Sequence, residues 1–283
     1  MVGQIIISNK LADKMNLPLR PHINIRAGVK TITTQLKISY NTSESYNLSP
    51  QLAKSLLLKP GLKLQISYNQ SSDTLHIGPI IGILTSVLPR RGEFTASSTQ
   101  AELVYLSNIG RTMNAQVYIF TPNSIDWVNH STRGYVYKPS SDKFGIWESA
   151  IYSLPDVVYD RIPSRKAEAR TSIKTTKRRL MNLPNLKYFN PSFFNKWRVH
   201  DMLTSNPSLL PYLPETRPLN QANLQVMLNR YRVLYVKPAN GSLGQGIIKI
   251  YGREAGKIQF AILKNTMQHG SAENTAQFLN KTK

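Results

Sequence analysis

Cysteine is missing from all 283 residues of the chain. Disulfide bridges, zinc–thiolate sites and thiol nucleophiles are therefore excluded, and a cytoplasmic location is compatible with this composition. Long apolar runs are missing too, since no segment approaches the roughly 20 apolar residues of a membrane-spanning helix. The N-terminus, from Met1 to Ile7, lacks the basic start and long apolar core of a signal peptide. These absences predict a soluble protein without a membrane span.

Acidic residues are scarce, because 15 Asp and Glu stand against 36 Lys and Arg, giving a net charge of +21 at pH 7. Such a basic protein attracts polyanions, which include nucleotides, nucleic acids and acidic surfaces. The densest basic run, from Arg161 to Arg179, contains no aromatic residue. Single-strand-binding surfaces interleave aromatic rings with cations. We expect a solvated helix face here ahead of a polyanion site, and nucleic acid is not an expected partner.

Residue patterns for common catalytic sites are also missing. No Gly-x-Ser-x-Gly nucleophile elbow is present. His200 beside Asp201 is interpreted as a surface pair rather than a catalytic dyad. The histidines show no metal-ligand spacing, and they are His22, His76, His130, His200 and His269. The sequence therefore assigns no catalytic residue and no metal ligand.

The most informative segment is a glycine-rich loop between two β-like runs, from Lys237 to Gly246. Its glycines, which include Gly241 and Gly244, allow positive φ and close approach of the backbone to a ligand. Successive N–H groups in such a turn form a concavity that binds anions, and Lys237 adds a positive charge beside it. The segment predicts a site for the phosphate chain of a nucleotide. A tight hairpin without a ligand is the alternative.

The residues after the loop distinguish between known phosphate-binding loops. A P-loop ends in Gly-Lys-Ser/Thr, and both it and the dinucleotide fingerprint open a helix. Here the run from Ile247 to Tyr251 is apolar and β-branched, which is typical of a strand. With both of these loop types excluded, the sequence predicts a glycine flap between two antiparallel strands, an arrangement that protein kinases also use. The other kinase signatures are absent from the sequence.

An internal repeat occupies the N-terminal segment. Ser8 aligns with Ser49, an offset of 41 residues, within the copies Ile7 to Leu17 and Leu48 to Leu58. In each copy a serine precedes a short helical pattern, and β-like alternation follows. Two copies of strand, helix and strand predict a small pseudo-symmetric β-barrel, which we assign to residues 1–77.

Two further domains follow the repeat. The apolar run from Ile77 to Leu84 resembles a strand buried on both faces of a parallel sheet, and alternating helix and strand patterns come after it. We therefore assign residues 78–165 to an α/β domain. Helical patterns in residues 193–203 and 221–229 precede the glycine loop, within a third domain of residues 166–283. The predicted fold class is α/β, in an α+β multidomain arrangement.

The first of these helices contains a second lysine of interest. Phe194, Trp197 and Met202 can share one apolar stripe, which we expect to face inward after an Asn190-Pro191-Ser192 cap. Lys196 lies beside the stripe. It is either a phosphate-binding residue or an ordinary surface lysine.

Three landmarks occur in order along the chain. They are Val157 to Arg165, then Phe189 to Trp197 leading on to Leu213-Pro214-Glu215-Thr216, and then the glycine loop. The ordered set resembles the YheC/YheD branch of the ATP-grasp superfamily, known as endospore coat-associated proteins. The resemblance covers the chain in pieces. It implies a pre-ATP-grasp α/β domain at residues 78–165 and the N-terminal lobe of an ATP-grasp domain at residues 166–283.

The resemblance also implies an ATP site. Lys196 and Lys237 would contact the phosphates, which suits two ammonium groups and a run of backbone donors. The flap would consist of the loop residues Gly241, Ser242, Leu243, Gly244, Gln245 and Gly246. The implied reaction is carboxylate–amine ligation through an acyl-phosphate. The implied location is the cytoplasm or the spore coat, with ATP and spore coat proteins as partners.

The resemblance further implies Mg²⁺, held by oxygen ligands on the second lobe of the grasp. Only 37 residues follow Gly246, and their acids are Glu254 and Glu273. Glu254 lies in a predicted hairpin turn, and neither acid suits a metal site. We therefore expect a chain truncated before the catalytic C-terminal lobe and inactive by itself, with the Mg²⁺ ligands in the absent lobe.

A second hypothesis assigns the chain no catalysis. It would be a structural or interaction protein of the spore coat, or a polyanion-binding module that uses the charge of +21. Polyanion binding weakens steeply with salt and extends to many anions. A nucleotide site prefers ATP over inorganic triphosphate.

Overall fold

A computed structural model describes residues 2–140, 145–241, 244–254, 256–263 and 266–282. The chain divides into two compact units, Met1–Ser192 and Phe193–Lys283. The mixed α/β fold class is confirmed, because helices and strands alternate through both units. The finer division into three domains stays a prediction. No helix within the described ranges is long and apolar enough to cross a membrane.

The first sheet of the first unit is built from the repeat. Its elements are β1 (Gln4–Ser8), α1 (Asn9–Lys14), β2 (His22–Ala27), β3 (Lys30–Ser39), β4 (Tyr46–Leu48), α2 (Pro50–Ser55), β5 (Gln65–Asn69) and β6 (Thr74–Gly78). The strand order is β4-β1-β3-β2-β6-β5. The hydroxyl of Tyr46, on one edge strand, donates to the carbonyl oxygen of Leu64 beside the other edge strand at 2.7 Å. The sheet is therefore curled so that its edges meet.

The repeat is visible in the helix caps. Ser8 caps α1 and Ser49 caps α2, each through its side-chain oxygen and each with extended backbone. Buried aliphatic side chains from both copies, among them Ile5 and Leu52, fill one core. The prediction that Ser8 and Ser49 occupy equivalent positions before their helices is confirmed.

The second sheet of the first unit has helices on both of its faces. Its elements are β7 (Ile80–Leu84), α3 (Thr99–Thr112), β8 (Gln116–Asp126), β9 (Ser131–Lys138), β10 (Ile146–Ser153), β11 (Val157–Asp160), α4 (Arg165–Glu168), α5 (Thr171–Met181) and β12 (Lys187–Phe189). The order is β10-β9-β8-β7-β11-β12, and β8, β7, β11 and β12 are parallel. Leu103 of α3 packs with Ile119, whereas Ile173 of α5 packs with Phe120. Because neighbouring strand residues point to opposite faces, α3 and α5 cover opposite faces of the sheet.

The predicted single strand from Ile77 to Leu84 is two strands in the structure. Strand β6 ends at Gly78 in the first sheet, and β7 begins at Ile80 in the second. Pro79 lies between them, and its missing N–H cannot join a ladder. The apolar run is continuous because both strands are buried, although they belong to different sheets.

The second unit contains a four-stranded antiparallel sheet. Its elements are α6 (Lys196–Thr204), a 3-10 turn (Pro207–Tyr212), α7 (Gln221–Arg230), β13 (Leu234–Val236), β14 (Ile248–Glu254), β15 (Lys257–Leu263), β16 (Met267–Ala272) and α8 (Thr275–Lys281). The strand order is β13-β14-β15-β16. Leu224 of α7 and Phe278 of α8 pack with Ile250 and Phe260 on one face of this sheet.

Helix α6 differs from its prediction in two respects. Asn195, not the earlier Asn190-Pro191-Ser192 segment, caps its N-terminus. The predicted inward stripe is exposed: Phe194 by 68%, Trp197 by 39% and Met202 by 73%. An apolar period of 3.6 residues marks one face of a helix, but it does not supply a partner for that face.

Candidate nucleotide site

The glycine loop lies between two antiparallel strands, as the sequence predicts. Val236 on β13 pairs with Ile248 on β14 at its base. Gly244 and Gly246 have φ values of +75° and +71°. In this left-handed region an L side chain is strained, so glycine is required by the backbone itself.

Hydrogen bonds fold the end of the loop onto the neighbouring strand β15. The N–H of Gly246 donates to the carbonyl oxygen of Leu263 at 2.8 Å, and the N–H of Leu263 donates to that of Ile247 at 3.0 Å. The start of the loop turns more tightly, since the N–H of Gly241 donates to the carbonyl oxygen of Pro238 at 3.2 Å. The loop is therefore tied to the sheet at one end and to itself at the other.

The N-terminus of α6 contacts the same loop. Asn195 caps the helix by accepting from the N–H of Arg198 at 3.0 Å, and its side-chain amide donates to Oδ1 of Asn240 at 2.9 Å. The N–H of Lys196 donates to the carbonyl oxygen of Ala239 at 2.8 Å. The asparagines were missed at sequence level, although Asn195 before a helical pattern is a recognisable cap.

The side chain of Lys196 contacts the loop as well. Its ammonium group donates to the carbonyl oxygen of Pro238 at 3.3 Å and to that of Gly241. Lys237 is exposed at the base of the loop, next to strand β13. Within the second unit the chain thus gathers Lys196, Lys237 and the glycines around one turn.

The remaining predicted loop residues differ in what can be described. Gln245 is exposed at the tip, beside Gly244 and Gly246. Ser242 and Leu243 lie outside the described residues. The nucleotide-binding role of all the predicted site residues stays a prediction.

The sheet face opposite α7 and α8 carries a cation between two aromatic rings. The ammonium group of Lys249 lies 6.0 Å from the ring centroid of Tyr235 and 4.8 Å from that of Tyr251. The tyrosines are 58% and 45% exposed. Lys249 is half-buried between them. This exposed face of the sheet adjoins the glycine loop, because Tyr235 immediately precedes Val236, which pairs with Ile248 at the base of the loop.

Glu215, in the Leu213–Thr216 landmark, is fixed to the end of α7. It accepts hydrogen bonds from the hydroxyl of Tyr231 at 2.8 Å, from Arg230 at 2.6 Å and from Arg217 at 2.8 Å. These donors, that of Tyr231 first, lower the pKa of Glu215 to about 2. The landmark therefore holds the segment before β13 in place.

The described residues do not fit a Mg²⁺ site. Among them, no group of three or more His, Asp or Glu side chains could hold a metal ion. The backbone of Glu254 lies opposite that of Lys257 in the β14–β15 ladder, at the end of the hairpin farthest from the glycine loop. The carboxylate of Glu273 lies 2.9 Å from the ammonium group of Lys257.

The chain resembles known proteins in sequence. Residues 185–283 match the family model described as YheC/D like ATP-grasp. The chain is similar to the endospore coat-associated protein YheD of Bacillus subtilis (strain 168), with 30% identity over 230 residues, or 81% of this chain and 49% of YheD. Its similarity to YheC of the same organism is 24% over 193 residues, or 67% of this chain and 51% of YheC. The chain spans about half the length of these curated relatives.

Proposed function

We propose that this protein binds ATP at the glycine loop of its second unit, on the support of the match of residues 185–283 to the YheC/D like ATP-grasp family model and of the similarity to YheD. Lys196 and Lys237 would contact the phosphates. Residues 241–246, which are Gly241, Ser242, Leu243, Gly244, Gln245 and Gly246, would close over them. Two ammonium groups and several backbone donors suit a phosphate chain, because hydrogen bonds that involve a charged group are stronger than those between neutral groups.

One observation carries the proposal: the ammonium group of Lys196 already contacts the loop that contains Gly241. The family resemblance pairs this lysine with this loop, although they are 45 positions apart in the sequence. In the structure, the carbonyl oxygens of Pro238 and Gly241 accept hydrogen bonds from the ammonium group. A phosphate oxygen is a stronger acceptor because it carries charge, so ATP would draw Lys196 away from those carbonyl oxygens.

For the whole protein we propose carboxylate–amine ligation. In that reaction a carboxylate attacks the terminal phosphorus of ATP and releases ADP, and an amine then displaces phosphate from the acyl-phosphate. The support is the ATP-grasp family match. Because the described residues do not fit a Mg²⁺ site, binding rather than turnover is what we propose for this chain by itself. Its partners would be ATP and, by analogy with the coat-associated relatives, spore coat proteins, in the cytoplasm or the spore coat.

Calorimetric titration at physiological salt tests the nucleotide site. We expect saturable ATP binding, weaker binding of inorganic triphosphate, and loss of ATP binding in Lys237→Ala. Lys257→Ala is the matched control, since it removes an exposed lysine at the far end of the β14–β15 hairpin. Equal affinities for ATP and triphosphate, or equal losses in the two variants, would contradict a nucleotide site.

A second candidate function is polyanion binding by α5. Arg170, Lys174 and Arg178 recur every four residues at this helix and are all exposed. Four-residue spacing places side chains on one helix face. Titration with heparin tests this function, because its apparent affinity would fall steeply with added salt and with Lys174→Gln. Salt-independent binding would argue against it.

A further inference from the structure

The first unit contains a cavity of about 710 Å³ that is separate from the glycine loop. It lies at the carboxyl ends of the parallel strands β7 and β8, where Ser86 and Thr121 line it. In open α/β sheets, ligands bind outside the carboxyl ends of the strands. The volume falls within the range of about 300–1,000 Å³ that is typical of small-molecule sites.

A bulge in β8 forms one wall of the cavity. The register between β8 and β9 shifts between Phe120 and Ile125. The hydroxyl of Ser124 holds the bulge, donating to the carbonyl oxygen of Thr121 at 2.7 Å and lying 2.9 Å from the hydroxyl of Thr132. Bulges of this kind redirect side chains and are frequent beside binding sites.

Two hydroxyl-bearing residues with little exposed surface line the cavity. Thr121 is 6% exposed and Ser131 is 7% exposed. Among the described residues, no group forms a hydrogen bond with either hydroxyl, whereas the neighbouring Ser124 and Thr132 bond each other. Both hydroxyls can therefore donate to a ligand in the cavity without breaking a hydrogen bond within the described residues.

The N-terminus of α5 opens into the same cavity. Its first-turn residues Ser172 and Ile173 line the wall. The N-cap residue Arg170 makes no side-chain capping hydrogen bond. The first N–H groups of a helix need outside acceptors and carry partial positive charge.

The charge balance favours an anion. Arg133 and Arg170 line the cavity. Asp126 lines it too, but its carboxylate accepts from the N–H groups of Val128 and Asn129 and from the side-chain amide of Asn129. The oxygens of the Asp126 carboxylate therefore already accept hydrogen bonds within the turn. The side chains of Arg133 and Arg170, in contrast, are exposed.

We propose that this cavity binds a small organic oxyanion, a carboxylate or a phosphate group, between Arg133 and Arg170. The hydroxyls of Thr121 and Ser131 and the first turn of α5 would donate to it. A guanidinium group recognises either oxyanion with two parallel hydrogen bonds. The site does not depend on nucleotide binding by the second unit.

Amide NMR titration of the full chain tests the proposal, with succinate and inorganic phosphate as separate probes. We expect saturable shifts at Thr121, Ser131 and Ser172 for at least one probe, and the probe that binds more tightly identifies the oxyanion. Arg133→Gln and Arg170→Gln are expected to weaken binding by about tenfold or more. Thr121→Val, which preserves side-chain shape, is expected to weaken it by a smaller factor.

Arg178→Gln is the matched control, because it removes an exposed arginine of the same helix that does not line the cavity. It should leave the affinity unchanged. Equal weakening by Arg178→Gln and Arg170→Gln would overturn the proposal in favour of non-specific attraction. Absence of saturable shifts with both probes would overturn it as well. Loss of ATP binding in Lys237→Ala is measured separately, so failure of the nucleotide site and failure of this site are distinguishable.

Discussion

The ammonium group of Lys196, at the start of α6, donates to the main-chain carbonyl oxygen of Gly241 in the glycine loop. The side chain of Lys196 thereby contacts the loop from a helix that lies outside the β-sheet. This contact joins the start of α6 to the loop. In the proposed function, this charge would lie beside the phosphates of the nucleotide.

Lys196→Met should loosen the loop and weaken ATP binding. The variant keeps a long side chain but removes the charge, so the carbonyl oxygens of Pro238 and Gly241 lose a donor. We expect faster hydrogen exchange at the amide of Gly241 and an ATP affinity lower by about tenfold. Arg198→Met on the same helix is the control. Identical exchange and affinity in the two variants would show that Lys196 has no special role.

Gly246→Ala should impair the loop more than a matched glycine replacement elsewhere. Gly246 has φ of +71°, and an added Cβ would lie 3.1 Å from Cγ of Pro238. Gly256 has φ of +80°, but an added Cβ there meets nothing within 4 Å. Both variants incur a left-handed backbone penalty of about 1–2 kcal/mol. Thermal unfolding should show a larger loss for Gly246→Ala, and only this variant should bind ATP more weakly. A larger effect of Gly256→Ala on either measurement would contradict the prediction.

Local patterns carried most of what could be predicted. Ser8 and Ser49 are helix caps because capping depends on a few neighbouring residues. The glycine loop between antiparallel strands followed from glycine spacing and β-branched flanks for the same reason. Lys196 was associated with that loop only through family resemblance, because no local pattern links residues so far apart.

Features that depend on tertiary partners were missed or misread. The stripe of Phe194, Trp197 and Met202 has the right period but is exposed, because periodicity does not reveal whether a partner exists. The oxyanion cavity depends on the β8–β9 register shift and on where α5 begins in space. The β8 sequence around Thr121 carries no signal for either.

The two repeats are joined by reciprocal hydrogen bonds. Ser8 Oγ accepts from the N–H of Ser45 at 3.1 Å, and Ser49 Oγ accepts from the N–H of Gln4 at 3.0 Å, in addition to capping their own helices. Ser8→Ala and Ser49→Ala should each cost about 1–2 kcal/mol of unfolding free energy. Denaturant unfolding measures this cost. Ser71→Ala, in an exposed turn of the same sheet, is the control. No loss in the cap variants would contradict a stabilising role.

Asp156 links the two sheets of the first unit. Its carboxylate lies 2.6 Å from Arg26 on β2 and 2.9 Å from His76 on β6, and it accepts from the N–H of Ile80 on β7 at 2.8 Å. Asp156→Leu removes the carboxylate partner of the largely buried Arg26, which then keeps only its hydrogen bond to the carbonyl oxygen of Gly28, and this should cost about 3–5 kcal/mol. The double variant Arg26→Met, Asp156→Leu should be more stable than Asp156→Leu alone. Equilibrium unfolding of the four-protein cycle checks this order, and additive losses would refute the coupling.

Glu215 makes the stability of the second unit sensitive to acid. Hydrogen bonds from Tyr231, Arg230 and Arg217 lower its pKa from 4.5 to about 2 in the folded state. A lowered carboxyl pKa stabilises the fold above the unfolded value, and this stabilisation is lost as pH falls through the folded value. We therefore expect the unfolding midpoint of the wild type to fall between pH 5 and pH 2, a window set by these two values. Glu215→Gln should be less stable at neutral pH and should show a smaller fall, whereas Glu273→Gln should keep the full acid-dependent loss. Thermal scans at a series of pH values decide the matter, and an unchanged pH dependence in Glu215→Gln would assign the acid response to other carboxylates.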